Sequence, residues 1–199
     1  MSETSDDMDT RLLAGFWQVV AARGWGGVTL GRVAAASGLP AAEIRARAPG
    51  GPAEMLRLHG RAMDAAVAAG TVPGQGGTPR DRVFDVLMRR IDALQPHRAG
   101  ILRLLEDLPR NPGPALCLLS QLPPSMARLL DAAEIESGGV LGAVRAQGLL
   151  GVWLATLRAW QKDDSADLGA TMAALDRALD RAEQVARSLR LDPGDRAMG

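Results

Sequence analysis

Apolar residues recur every three or four positions along almost the whole chain, a spacing that predicts helices throughout. The first is expected to run from Thr10, as its N-cap, through Leu12, Leu13, Phe16, Trp17 and Val20 to Gly24. A short second helix follows, Leu30 to Ala36 behind Thr29, then a turn of Ser37, Gly38 and Leu39, then a third helix opened by Pro40. After the "PGGP" break at Pro49 to Pro52, a fourth helix extends from Pro52 to about Ala69. The fifth starts at Thr78 and Pro79 and aligns Val83, Phe84, Leu87, Met88 and Ile91 on one face. Pro96 opens the sixth, "PRNPGP" closes it, and the seventh is expected to break or kink at Pro123 and Pro124. Two long helices, about Gly139 to Lys162 and about Ser165 to Leu191, complete the chain.

The densest Pro/Gly cluster, "GTVPGQGGTP" at Gly70 to Pro79, is where a domain boundary is expected. It separates a helix-turn-helix domain with its connecting helix, residues 10–69, from a C-terminal ligand-binding and dimerisation domain, residues 78–191. The final helix carries Leu168, Met172, Leu175, Leu179, Ala182, Ala186 and Leu189 at steps of four and three, a narrow seam suited to helix pairing. The helix before it offers Gly148, Gly151, Ala155 and Ala159 along one side, so that another helix can approach closely. Together they predict a homodimer interface, the alternative being that both seams are core within the chain.

Composition agrees with an all-α fold: tyrosine is absent and aromatic residues are 3% of the chain, too few strand formers for a sheet protein. The formal charge is zero, with 23 basic and 23 acidic residues, so any attraction to nucleic acid must be local. It is local. From Arg11 to Arg61, seven arginines (Arg11, Arg23, Arg32, Arg45, Arg47, Arg57, Arg61) face two acids, Glu43 and Glu54, a surplus of five.

The helix-turn-helix reading rests on Ala34 where the two helices cross, Gly38 at a turn requiring positive φ, and Val33, Leu39 and Ile44 as the contacts that lock the pair. It makes Thr29, Arg32, Pro40, Ala41, Glu43, Arg45 and Arg47 the candidate DNA-binding residues. Thr29 and Arg32 would meet phosphate, Arg45 and Arg47 phosphate or a guanine edge, while Pro40, Ala41 and Ala42 offer bases little but a methyl contact. Trp153 and Trp160, seven apart on one helix, are expected to line an apolar ligand pocket opposite Met126, Leu129 and Leu130.

Other chemistries find little support. One cysteine, Cys117, excludes an internal disulfide and a cysteine-based zinc cluster, and the two histidines, His59 and His97, lie far apart in sequence. Asp163, Asp164 and Ser165 read as a helix cap, with Asp164 or Ser165 capping the final helix. Neither a catalytic constellation nor a cofactor motif emerges, and a non-enzymatic protein is expected. No uninterrupted apolar run approaches the roughly 18 residues of a membrane span, and the opening "MSETSDDMD" is acidic, so the expected location is the cytoplasm.

The order "WQVVAARGWGGVTLGRVAAASGLP", followed by "EML", resembles the N-terminal domain of TetR-family transcriptional regulators. Where such proteins continue with a tyrosine, an aromatic residue or histidine, a phenylalanine and a Pro-Ser-Lys-Glu loop, this chain has Arg45, Arg47, Ala48 and "PGGPAEML". The resemblance implies an all-helical homodimer that binds double-stranded DNA and responds, as a repressor, to a small apolar ligand. A second resemblance, carried by "RGW", "PGGPAEML", "RRIDALQPHR" and "VWLATLRAWQKDDSADLGATMAALDRAL", is to the TetR-fold accessory proteins of ubiquinone biosynthesis. It implies the alternative of an isoprenoid-binding protein with a vestigial helix-turn-helix.

Overall fold

The computed structural model describes residues 2–72, 74 and 76–188. Among them the chain forms nine α-helices: α1 Ser2–Arg23, α2 Leu30–Ser37, α3 Ala41–Arg47, α4 Pro52–Ala69, α5 Pro79–Leu94, α6 Arg98–Asp107, α7 Pro112–Ala132, α8 Gly139–Trp160 and α9 Gly169–Ser188. The fold is all-α, an N-terminal helix cluster followed by a C-terminal helical bundle. Leu189 and Leu191 lie outside the described residues.

The chain divides into two compact units that do not follow one cut in the sequence: residues 1–65 with 93–121, and residues 66–92 with 122–199. In the first unit α1 is the central helix, burying Leu12, Leu13, Phe16, Trp17, Val19 and Val20. It begins eight residues before the expected Thr10 cap. The Thr10 hydroxyl instead donates back to the Asp6 carbonyl (2.9 Å) within the helix. A side chain at Gly15 would meet Ser37 at 2.7 Å, so α2 crosses α1 at backbone contact.

Helix α6 joins this unit for a similar reason. A Cβ on Gly100 would sit 2.6 Å from the Trp17 carbonyl, and the Asp107 carboxylate accepts the Trp25 backbone N–H (2.8 Å) just past Gly24, whose φ of 67° ends α1. Pro123 and Pro124 do not break α7. The carbonyls they leave unpaired, on Leu119 and Ser120, belong to exposed residues, as do the prolines, so water can serve that side of the helix.

In the second unit α5 opens on a reciprocal cap, with the Thr78 N–H donating to Asp81 (2.9 Å) and the Asp81 N–H to the Thr78 hydroxyl (3.2 Å). Arg80 then reaches Asp176 and Asp180 on α9, both at 2.7 Å. Helices α8 and α9 pack through Leu149, Val152, Trp153, Thr156 and Trp160 on one and Thr171, Leu175, Ala178 and Leu179 on the other.

Helix α9 starts at Gly169, later than Ser165, and its cap is Asp163 in place of Asp164 or Ser165. The buried Asp163 carboxylate accepts the Thr171 N–H and hydroxyl, each at 2.7 Å, together with the Ser165 hydroxyl and N–H. Leu168 turns the chain between Asp163 and the helix at φ 53°, and Asp167 accepts the Gly169 N–H (3.3 Å) at the helix start.

Hydrogen bonds from Ser165, then Thr171, hold Asp163 well below the usual carboxylate range. A carboxyl depressed by folding stabilises fully above its unfolded value, ~3.9, and that stabilisation is lost as pH falls toward the folded value. Melting temperature measured from pH 7 to pH 3 should therefore fall below about pH 4 in the wild type and fall less in Asp163→Asn, which starts lower. Equal acid slopes would contradict this.

Candidate nucleic-acid interface and helical groove

The helix-turn-helix is built as its spacing requires. Gly38 adopts φ 67°, and its N–H closes α2 on the Ala34 carbonyl (2.9 Å). Val33, Leu39 and Ile44 are buried between the helices. Pro40, Ala41, Ala42, Glu43, Arg45 and Ala46 are all exposed, so the candidate reading residues form the outer surface of α3. Thr29 caps α2 by accepting the Arg32 N–H (3.4 Å), and the Arg32 guanidinium donates to the Gly27 carbonyl (2.7 Å).

Several of the arginines that gave the basic surplus are engaged within the unit. Arg57 and Arg61 both pair with Glu54 at 3.1 Å, Arg11 donates to the Ser37 and Gly38 carbonyls, and Arg47 pairs with Asp9. Arg45 makes no such bond among the described residues and is exposed. Extending the charge count back to residue 6 adds Asp6, Asp7 and Asp9, which lowers the surplus from five to two.

The second unit carries an open groove of about 700 Å³ along α8 and α9, bordered by the start of α5 and the end of α7. Its floor is apolar and largely small: Val144, Gly148, Gly151, Val152 and Ala155 from α8, and Leu179, Ala182, Val185 and Ala186 from α9. Arg80, Arg145, Arg181, Glu183 and Arg187 rim it. Val144 and Val185 are exposed, and a Cβ at Gly148 or Gly151 would meet nothing within 4 Å.

No protein-family model matches this chain, and no curated protein matches it. Among solved structures, a TetR transcriptional regulator from Rhodococcus sp. RHA1 superposes with a TM-score of 0.58 over 90% of this chain and 97% of that one, at 16% identity. The chain has a TetR-like fold.

Within that TetR-like fold the five expected pocket residues separate from the open space. Met126, Leu129, Trp153 and Trp160 are filled core of the second unit, and only Leu130 also borders the groove. Trp153 is covered on its face by the guanidinium of the buried Arg90, 5.1 Å from the ring centroid. The expected dimer seam divides too: Leu168, Leu175 and Leu179 are buried in the chain's own core, whereas Gly148, Gly151 and Met172 are exposed and Ala155 is half-buried.

The two histidines, distant in sequence, meet around Trp17. The Trp17 indole N–H donates to His59 Nδ1 (3.2 Å), His97 stacks on the same ring, and the imidazole centroids are 5.7 Å apart. Burial pushes His97 below its ordinary value, which keeps it neutral in the cluster. Among the described residues no three His, Cys, Asp or Glu side chains are arranged to hold a metal.

Helix α8 is long and apolar enough by composition to cross a membrane, although Arg145, Gln147 and Arg158 interrupt it. Its apolarity on all sides follows from its place, with one face on α9 and another on the groove.

Sequence reasoning missed Asp9 and Arg80 and counted Arg11 only as charge. Each acts across 26 or more residues of sequence, and no local pattern announces such a pairing.

Proposed function

We propose that this chain is a one-component transcriptional regulator of the TetR type, a repressor that binds double-stranded DNA as a homodimer and responds to a small apolar ligand. The observation that carries the reading is the exposure of Pro40, Ala41, Ala42, Glu43 and Arg45 on a helix whose inner residues lock a glycine-turned pair. A short helix presented in this way can enter a major groove, with Arg45 and the α2 end at Thr29 and Arg32 toward the backbone. Base discrimination is modest, because the first turn of α3 presents mainly methyl groups. The open groove along α8 and α9, floored by small apolar residues, supports the dimer, because the helices of a second copy could pack closely there.

The test is Arg45→Ala. If Arg45 neutralises one phosphate per head, the variant should bind genomic duplex fragments more weakly and flatten the log–log salt dependence by roughly 0.9 per head. An unchanged slope with unchanged affinity would remove Arg45 from the interface.

One observation favours a second reading, an isoprenoid- or acyl-binding protein with a vestigial head: the groove's volume and apolar floor suit a chain-like lipid as well as a partner helix. Copurifying lipid detected by native mass spectrometry, with no DNA binding at low salt, would decide for it.

A further inference from the structure

Arg47 has the residue type and position of a phosphate contact, but its guanidinium is committed to α1. Nε and Nη2 donate to the two carboxylate oxygens of Asp9, a two-pronged pair spanning 38 positions of sequence. Such a fork fixes direction as well as distance, which a single point charge does not.

Helix α3 needs that constraint. It has seven residues, far short of the roughly 12–15 at which an isolated helix becomes marginally stable, and Pro40 before it provides no side-chain cap. Ile44 is its one buried residue. Its other apolar contacts, Leu39 and Ala48, flank the helix at its two ends, so within α3 itself only Ile44 and the Arg47 pair fix which side faces inward. Two positions along α1, Arg11 donates to the Ser37 carbonyl (3.4 Å) and the Gly38 carbonyl (3.2 Å), which end α2 and begin the turn. Asp9 and Arg11 therefore hold the helix-turn-helix from both sides of its turn.

We propose that Asp9 is a positioning residue: its pair with Arg47 sets the rotation of α3, and thereby which residues of that helix face bound DNA, while Arg47 itself is not a phosphate contact. This rests on the DNA-binding reading above and assigns a role to the acidic end of α1, which repels phosphate and contributes nothing to affinity by charge alone.

The experiment compares Asp9→Asn with the charge-swapped double variant, Asp9→Arg with Arg47→Asp, in the full-length protein. Two readouts are taken: affinity for genomic duplex fragments across salt, and hydrogen exchange of the 44–48 amides without DNA. Asp9→Asn should weaken binding about tenfold, within the coupling seen for paired side chains, leave the salt slope unchanged, and speed exchange in α3. The swap should recover most of both. Tighter binding with a slope steeper by about 0.9 in Asp9→Asn would overturn the proposal, because Arg47 would then be a phosphate contact that Asp9 restrains. Failure of the swap to restore exchange protection would overturn it as well. If the wild type binds no DNA, the regulator reading fails by itself, and the exchange arm still decides whether Asp9 positions α3.

Discussion

A Gly151→Arg variant is expected to keep the helical fold and cooperative unfolding yet elute at half the wild-type mass, with a melting temperature that no longer rises with protein concentration. Gly151 is exposed on α8, and a side chain there meets nothing within 4 Å, so the chain itself accommodates the change. Replacing a mid-helix glycine even favours the helix, by about 0.5–1 kcal/mol. In a dimer built on the α8–α9 groove, the same arginine would enter a closely packed apolar seam twice, once from each subunit. An unpaired charge buried in this way costs about 3–5 kcal/mol, enough to dissociate a micromolar dimer. Light scattering coupled to sizing reads the mass. A variant that remains dimeric would place the interface elsewhere, and a monomeric wild type would remove the dimer altogether.

Leu175→Arg should behave oppositely and more drastically. The residue is 0% exposed, inside the packing of α8 on α9, and has no route to water. Losing a buried leucine alone costs about 2–5 kcal/mol, and the unpaired guanidinium adds several more. The sum is comparable to the whole stability of an ordinary domain, about 5–15 kcal/mol. Loss of cooperative unfolding, or insoluble expression, is expected by circular dichroism and solubility assay. A soluble, folded monomer would mean that Leu175 belongs to a seam between subunits, as its heptad-like spacing suggested.

The contrast between these two variants shows what the pattern could convey. Periodicity grouped the apolar residues of α9 and the small residues of α8 by helical spacing, but spacing does not say what covers each of them. Leu175 is covered by the chain itself, whereas Gly151 is uncovered. In the same way, Trp153 and Trp160 do share a buried side of α8, yet that side is filled with core. Local signals carried further: Gly38 sits at the left-handed turn, Pro52 begins α4, and Thr78 with Pro79 begins α5, because each is decided by its own backbone and neighbours. The division into units was hidden for the complementary reason. Helix α6 joins the N-terminal helices through the missing side chain of Gly100 and the hydrogen bond from Trp25 to Asp107, contacts that no periodicity records.

The most direct measurement of the central claim is equilibrium binding of the wild-type protein to genomic duplex fragments from about 50 to 200 mM salt. A DNA-binding regulator should show saturable binding whose log affinity falls linearly with log salt, by about 0.9 for each phosphate neutralised. A protein that binds no fragment at the lowest salt, while remaining folded, would contradict the claim.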